Sequence, residues 1–421
     1  MEQQTQTVSL PSSMRYAISA LKAVSADTTL RQFASSNGSS FSTSVNEIRI
    51  PVSAHDGFLD ASRSYLYFTI KNTNTATGEN LQLDSDALCW VDSIRIESQG
   101  VLLERLDQAA LWNNTKNRWD AGIQMNHARN ALAGSHESYD GANNGLTIDE
   151  VTSHSFCCRL PVGFLNGHHG RAIPAGSQFD IILRVNPKAE SCFKWEKLDK
   201  YGFTIENPRF YCPMYRIENR EVMSEYASVL STRGISWTGN CVKTYISALN
   251  TGAQTTSLQI NDRSKSLKGL VSCKRVTADI TDRAKNSQSD TNITGVTQVA
   301  YMIQGRTYPQ DHIQVSPTDY SRLYEECAKA MSTNGNIRVG PQVLGSAFKP
   351  GSSTRGMMGV DLKRFDDLRL VDVGIDTTGG APNVLEITTD GGHNANSQVS
   401  TFAICDCTWT LQPNGVITAS M

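Results

Sequence analysis

The sequence predicts an all-β protein made of two tandem jelly-roll β-sandwiches, with a few short helices and an N-terminal arm. The chain has 421 residues, more than one hydrophobic core usually serves, so two domains are expected. Short runs of β-branched and aromatic residues alternate with polar residues between Gly, Asn, Asp and Ser clusters. Such runs recur in the second half after a polar break, which indicates antiparallel sandwiches of the Greek-key or jelly-roll type.

Clear strand patterns occur in both halves of the chain. In the last of them every second residue from Ala403 to Leu411 is apolar, whereas Asp406, Thr408 and Thr410 are polar. This alternation is typical of a half-buried strand in a sandwich. The clearest segments are 46–52, 64–71, 90–97, 179–185, 208–217, 241–248, 267–276, 299–303, 384–388 and 400–411.

Helical patterns are few. The strongest begins at Ser316, the predicted N-cap, with Pro317 at the first helical position and Asp319 at the third. The apolar residues that follow share one side of the helix, which is predicted to pack on a sheet. They are Tyr320, Leu323, Tyr324, Cys327 and Met331. A shorter helix is predicted over 108–119, so each half has one helix that follows strands.

The chain divides into three predicted segments. They are an N-terminal arm over 1–40, a first jelly roll over 41–220 and a second over 221–421. The polar stretch 219–225 is where the two jelly rolls are expected to join.

A short sequence echo indicates duplication of the sandwich. The stretch 60–64 (DASRS) precedes one strand of the first half, and 262–266 (DRSKS) precedes one of the second. Together with the parallel placement of the helices, the echo suggests that the two halves are built alike.

The arm is rich in Ser, Thr and Gln and contains one helical pattern, over 12–24. Its apolar stripe is the candidate assembly site, formed by Met14, Ile18, Leu21 and Val24. A helix this short is marginal in water and needs an apolar surface to dock on. The arm is therefore expected to order against a partner, such as a neighbouring subunit.

Charge and composition argue against several classes of protein. Lys and Arg total 39 against 41 Asp and Glu, so no basic domain attracts nucleic acid, and sequence-specific nucleic-acid binding is not expected. No signal peptide and no apolar run of membrane-spanning length is recognised in the sequence. The protein is expected to be made and kept inside a cell.

The ten cysteines are expected to be buried thiols rather than a disulfide framework. The close pairs are Cys157 with Cys158 and Cys405 with Cys407, and neither has a second pair at zinc-finger spacing. Adjacent strand residues point to opposite faces, so Cys157 and Cys158 are poorly placed to share a metal. Structural packing is the expected role of both pairs.

No motif predicts catalysis, a cofactor or a metal site. His168, His169 and Arg171 could bind a metal or an anion, but without a third ligand at suitable spacing they are interpreted as turn residues. The nucleophile-elbow, P-loop, dinucleotide-binding and zincin motifs are absent from the sequence.

Two groups of acidic residues could in principle bind a metal or act in catalysis, but they are interpreted as solvated side chains. Asp84, Asp86 and Asp92 lack the Gly and Glu of an EF-hand loop. The aspartates of 361–372 are mixed with Lys and Arg, which is typical of an exposed charged segment.

The order of segments resembles the double jelly-roll major capsid proteins of tailless icosahedral DNA viruses, the group that includes adenovirus-like, virophage and polinton-like shells. The resemblance covers the chain from about residue 41 to its end. It rests on the residue patterns of several segments and on the order in which they occur. The segments that carry it are 46–51 (NEIRIP), 58–68 (FLDASRSYLYF), 90–100 (WVDSIRIESQG), 160–161 (LP), 173–183 (IPAGSQFDIIL), 266–271 (SLKGLV) and 410–416 (TLQPNGV).

The resemblance implies a structural subunit of the virion and no enzyme. Three copies would close into a homotrimer, a pseudo-hexagonal capsomer, and neighbouring capsomers would form the icosahedral shell inside the host cell. Penton or minor capsid proteins are the further partners it implies, with an internal membrane left open. The family has no catalytic residues to carry over, and no cofactor is expected.

Two alternatives remain at the level of sequence. A carbohydrate-binding or glycoside-processing β-sandwich would need a concave aromatic face and two carboxylates about 5 to 10 Å apart. An extracellular adhesin is disfavoured because no signal peptide is recognised and the cysteines are not arranged as a disulfide framework.

Overall fold

The computed structural model describes most of the chain. The described residues are 26–55, 57–84, 86–120, 146–166, 172–188, 192–194, 202–282, 285–288, 290–332, 343, 345–351, 355–363, 373–391 and 395–421.

The strands of the first half begin at Ala26 and end at Ile217. They are β1 (Ala26–Ala34), β2 (Ser40–Phe41), β3 (Glu47–Ser53), β4 (Phe58–Leu59), β5 (Tyr65–Asn72), β6 (Leu81–Leu83), β7 (Val91–Ser98), β8 (Val101–Asp107), β9 (Thr147–Ile148), β10 (Ser153–Cys158), β11 (Gln178–Val185), β12 (Phe193–Lys194) and β13 (Phe203–Ile217).

The strands of the second half begin at Ile235. They are β14 (Ile235–Leu249), β15 (Thr255–Ile260), β16 (Leu267–Val276), β17 (Val296–Ile303), β18 (Arg306–Gln314), β19 (Met358–Asp361), β20 (Asn383–Thr389), β21 (Ser397–Leu411) and β22 (Ile417–Ser420). The helices are α1 (Ala109–Asp120), α2 (Gly163–Asn166), α3 (Arg220–Arg233), α4 (Ser321–Ser332) and α5 (Gly345–Phe348).

Each half contains two main antiparallel sheets. In the first half the strand orders are β1-β13-β5-β10 and β3-β11-β7-β8, with β2 and β4 also paired to β13 and a small β12-β6-β9 sheet beside them. In the second half the orders are β14-β21-β16-β19, with β22 on β21, and β15-β20-β17-β18. Among the described strands, pairing occurs only within a half. The prediction of an all-β, two-sandwich fold is confirmed.

Alternation explains why these segments are strands. In β5 and β20 every second residue is buried, so each strand presents one apolar face to the core. Strand β16 differs because nine of its ten residues are buried. Helix α4 packs on β16 and β19, so that side of the sheet is covered too. All the strand segments predicted from the sequence are present, most of them within two residues at each end.

The main error concerns the start of helix α4. Ser316 was predicted as its N-cap, but the helix begins at Ser321. The Ser316 hydroxyl instead accepts hydrogen bonds from the amides of Thr318 (3.3 Å) and Asp319 (3.0 Å), closing a separate turn before the helix. A capping pattern serves such a turn equally well. The predicted stripe is correct, since Leu323, Cys327 and Met331 are buried.

The polar stretch 219–225, where the two jelly rolls are expected to join, contains the start of a helix that was not predicted from the sequence. Asn219 caps α3, its side chain accepting hydrogen bonds from the amides of Glu221 (2.9 Å) and Val222 (3.4 Å). Gly234 ends the helix at φ 71°, a conformation that favours glycine. Asparagine at the start and glycine after the end were both visible as helix signals.

The end of the predicted arm belongs to a sheet. Strand β1 pairs with β13 from Ala26, opposite Ile217, to Ala34, opposite Arg209. Most of β1 is nevertheless exposed on both faces.

The sequence echo marks equivalent contacts in the two halves. Asp60 accepts hydrogen bonds from the hydroxyls of Ser62 (2.5 Å) and Tyr215 (2.9 Å). Asp262 accepts them from Ser264 (2.5 Å) and Tyr245 (3.1 Å). In both halves an aspartate therefore ties its own loop to a tyrosine of a long strand.

Candidate functional site

The contact between the two halves of the described chain is formed by several strands and helices. Strand β8, at the edge of a first-half sheet, lies beside β14 and β22 of the second half. The two edges do not form a regular ladder, and side chains bridge them instead. The Thr244 hydroxyl donates to the carbonyl oxygen of Asp107 (2.8 Å), and the Ile417 amide donates to the Ser98 hydroxyl (3.1 Å). We call this contact, together with helices α1 and α2, the junction.

A buried carboxylate lies at the centre of the junction. Glu104 of β8 is 1% exposed, and its carboxylate accepts hydrogen bonds from the amides of Gly163 (2.9 Å) and Phe164 (2.7 Å) at the start of α2. It also accepts a backbone hydrogen bond from Val242 of β14. One side chain thus satisfies backbone donors from both halves, which would otherwise be buried without partners.

Burial raises the pKa of Glu104 to about 7, although the amides of Phe164, Gly163 and Val242 and the nearby Lys116 oppose the rise. The folded protein therefore holds this proton more tightly than the unfolded chain, in which the ordinary value is 4.5. The resulting stability is present below pH 4.5 and is lost as the pH rises through about 7.

We expect a Glu104→Gln variant, which cannot ionise, to lack this loss. Between pH 5 and pH 8 the free energy of unfolding of the natural protein should fall by about 2.5 kcal/mol relative to the variant. Urea unfolding at the two pH values measures the difference. An identical pH dependence in both proteins would show that Glu104 does not titrate in this range.

Close approach at α2 requires a glycine. A Cβ at position 163 would overlap the backbone carbonyl oxygen of Asn240 in β14. Only a residue without a side chain lets the first turn of α2 lie directly against this strand.

Aromatic rings fill the space beneath α2. The ring centroid of Phe164 lies 4.9 Å from that of Phe179 in the first half. It lies 5.4 Å from Trp409 and 6.1 Å from Trp237 in the second half. Phe164 is fully buried, so its side chain belongs to the cores of both halves.

Helix α1 extends the junction along the second half. The Trp112 ring lies 5.0 Å from Phe402 of β21, and Trp119 lies 5.2 Å from Tyr324 of α4. The Asn114 side-chain amide donates to the carbonyl oxygen of Gln288 (3.1 Å). Apolar and polar contacts together hold the two sandwiches side by side.

Two of the acidic residues interpreted as solvated are part of this contact, so that interpretation was wrong. Asp84 and Asp86 are 2% and 4% exposed. Asp84 accepts a hydrogen bond from the Gln288 amide (2.6 Å), and Asp86 accepts them from the Leu88 amide (2.8 Å) and the Asn113 side chain (2.5 Å). Buried backbone amides need hydrogen-bond acceptors, and these two carboxylates supply them.

Other predicted residues fall outside the described part of the chain. These are the arm residues Met14, Ile18, Leu21 and Val24, the turn residues His168, His169 and Arg171, and the charged residues of 364–372. The roles assigned to them stay predictions.

All ten cysteines lie in the described residues and are free, and nine are buried. Sequence reasoning missed that Cys241 faces Cys405 across β14 and β21, with their sulfur atoms 3.3 Å apart. In the portion of the chain that is described, no group of three or more His, Cys, Asp or Glu residues is arranged to hold a metal ion. No described helix is long and apolar enough to cross a membrane.

Sequence reasoning also missed Glu104 and Gly163. Glu104 carried a usable signal, because the period of two in β8 places it on the same face as Leu106, which is buried. Gly163 carried none, since its role depends on a strand far away in sequence.

No sequence-family model and no curated protein matches the chain. Solved structures do match in fold, and they are double jelly-roll major capsid proteins. A chain of the PBCV-1 virus capsid superposes with a TM-score of 0.65 at 8% identity, over 95% of this chain and 98% of that one. The Faustovirus major capsid protein gives 0.63 at 8% identity, over 92% and 91%. The mavirus major capsid protein gives 0.54 at 12% identity, over 100% and 95%. The chain therefore has the double jelly-roll fold.

Proposed function

We propose that the chain is a major capsid protein, a structural subunit without catalytic activity that builds the shell of an icosahedral virus. The observation that carries the proposal is the fold likeness to capsid proteins over nearly the whole length of both chains. A match of this extent spans both halves of the chain.

The junction supports assembly into a trimer. Two similar sandwiches held rigidly side by side give each subunit two wedges, and three subunits then supply six. Ring closure by heterologous contacts requires a fixed rotation from one subunit to the next, which a loose linker between the sandwiches would not provide. The division into an arm over 1–40, whose end pairs with β13, and jelly rolls over 41–220 and 221–421 is part of the proposal, with α3 as the connection.

Further partners follow from the same role. A shell of such pseudo-hexagonal capsomers needs penton or minor capsid proteins at its vertices, and an internal membrane remains an alternative inner partner. With 39 basic and 41 acidic residues, the subunit is not expected to bind nucleic acid sequence-specifically. Its location would be the virion, after assembly inside the host cell.

The carbohydrate-binding alternative finds no support in the described tryptophans. Five tryptophans lie in the described residues, and all are buried, so they do not provide a stacking face for a sugar. They are Trp90, Trp112, Trp119, Trp237 and Trp409.

The proposal predicts that the purified chain is a trimer. Size-exclusion chromatography with light scattering should give three times the subunit mass of 46.1 kDa, and electron microscopy should show pseudo-hexagonal particles. A monomer at every concentration would contradict the proposal. Binding to a glycan array or hydrolysis of glycosides would favour the carbohydrate alternative instead.

A further inference from the structure

Helix α3 is poorly covered for an element that connects two sandwiches. All fourteen of its residues are described, and none is buried by the described part of the chain. Tyr226 anchors it to the first half, with its ring 5.1 Å from that of Phe58 and its hydroxyl donating to the carbonyl oxygen of Ala175 (2.6 Å). Val222 is 44% exposed, and Val229 is partly exposed.

The exposed valines lie on one side of α3. Val222, Glu225 and Val229 are spaced i, i+3 and i+7, so they follow one another along the helix surface. Ser224 lies on the opposite side and is exposed. Tyr226 and Leu230 already pack on the described chain, and the valines lie at the edge of that packed side. A second helix lying alongside α3 would cover them, so the valine side is where a further apolar partner is expected.

The chain enters the described structure beside this helix. Ala26, the first residue of β1, pairs with Ile217, the last residue of β13. Asn219, the N-cap of α3, follows two residues later. Successive Cα atoms are about 3.8 Å apart, so a segment that ends two residues before Ala26 has the reach to contact the start of α3.

The segment before Ala26 matches α3 in length and apolar pattern. The helix predicted over 12–24 would be about 20 Å long, and α3 is about 21 Å long at 1.5 Å per residue. Leu21 precedes Ala26 by five residues, and Val222 follows Ile217 by five. If the two helices run antiparallel from the Ala26–Ile217 pair, Leu21 and Val222 would lie opposite each other along the helix axes.

Charge also matches in this orientation. The basic residues of 12–24 are Arg15 and Lys22, and the segment has no acidic residue. The first turns of α3 carry Glu221 and Glu225 beside Arg220. An antiparallel arrangement would bring Lys22 level with Glu221, since each is four residues from the Ala26–Ile217 pair.

We propose that residues 12–24 form a helix that packs antiparallel on α3 of the same subunit and covers Val222 and Val229. The connection to Ala26 is one residue long, so the local concentration of the segment at α3 greatly exceeds that of the same segment from another subunit. This inference places the arm on its own subunit and not on a neighbouring one. It does not depend on the role of the chain in a shell.

Cross-linking tests the proposal in the full chain. Cys157, the one cysteine that is not fully buried, is first replaced by serine. Leu21→Cys and Val222→Cys are then introduced together and treated with a short bismaleimide. We expect a cross-link within one chain, detected by mass spectrometry of the joined peptides. The matched control, Leu21→Cys with Ser224→Cys, should cross-link at least ten-fold less because Ser224 faces away.

A mixture of two proteins, one carrying only Leu21→Cys and the other only Val222→Cys, distinguishes docking on the same subunit from docking on a neighbouring one. Efficient cross-linking between chains in this mixture would overturn the proposal and favour docking on a neighbour. Absence of any cross-link in the double variant would also overturn it.

Hydrogen exchange provides an independent measurement. Deletion of 1–25 leaves β1 intact and should accelerate amide exchange in α3 at least ten-fold. Unchanged exchange in α3 would contradict the proposal.

Discussion

Replacing Phe164 by alanine is expected to uncouple the two sandwiches. The side chain is fully buried and packs on Phe179 of one half and on Trp409 and Trp237 of the other. Truncating a buried phenylalanine costs about 3–5 kcal/mol, and here the cavity opens between the halves. Calorimetry should show that thermal unfolding divides into two transitions, because the halves no longer stabilise each other.

A phenylalanine within one half is the matched control. Phe193 is as buried as Phe164, and its ring packs on Phe203 of the same half at 4.7 Å. Phe193→Ala should lower the stability of that half by a similar amount without loss of contact between the halves. If Phe164→Ala and Phe193→Ala behave alike, the junction does not couple the sandwiches. If the proposed function is correct, trimers of Phe164→Ala should also be lost at lower temperature.

Replacing Asp262 by alanine should destabilise the second sandwich by about 3 kcal/mol, because it leaves the buried donors of Ser264 and Thr377 without their acceptor and removes the ion-pair partner of the partly exposed Lys243. The Asp262 side chain is fully buried and accepts from Lys243 (3.3 Å), Tyr245 (3.1 Å) and Thr377 (3.0 Å). It also accepts from the amide and hydroxyl of Ser264. Urea unfolding at neutral pH measures the loss.

The same residue contributes to acid stability. Burial alone would raise the pKa of Asp262, but Lys243 and the hydrogen bonds from Ser264 and Thr377 outweigh it and hold the pKa below the ordinary 3.8. Stability from this group is therefore present above pH 3.8 and is lost as the pH falls through the lowered pKa.

Two variants serve as controls for Asp262. Asp262→Asn keeps much of the shape but not the charge, so it should lack this acid-dependent loss. Asp311→Ala removes an exposed carboxylate of β18 and should leave the unfolding midpoint nearly unchanged. An Asp262→Ala protein as stable as the Asp311→Ala protein would show that the hydrogen-bonded cluster is not needed.

The positions of the strands could be predicted from the sequence. Their signal is local, because a strand with one buried face alternates with a period of two whatever it pairs with. Both ends of β16, Leu267 and Val276, were predicted correctly. The two-sandwich fold class was predicted from the number of such segments and their alternating pattern. Helix ends were less well determined, since Ser316 could cap a turn or a helix.

The contact between the two sandwiches could not be predicted from the sequence. Glu104 is one of three charged residues in β8, and only the contacts with the amides of Gly163 and Val242 distinguish it. Asp84 likewise resembles a solvated loop residue in the sequence, but in the fold it accepts a hydrogen bond from Gln288. The partners in these contacts lie between 59 and 204 residues apart in sequence. Periodicity reports which face of a strand is apolar but not which distant edge it meets. The junction is therefore specified by side chains whose roles exist only once both halves have folded.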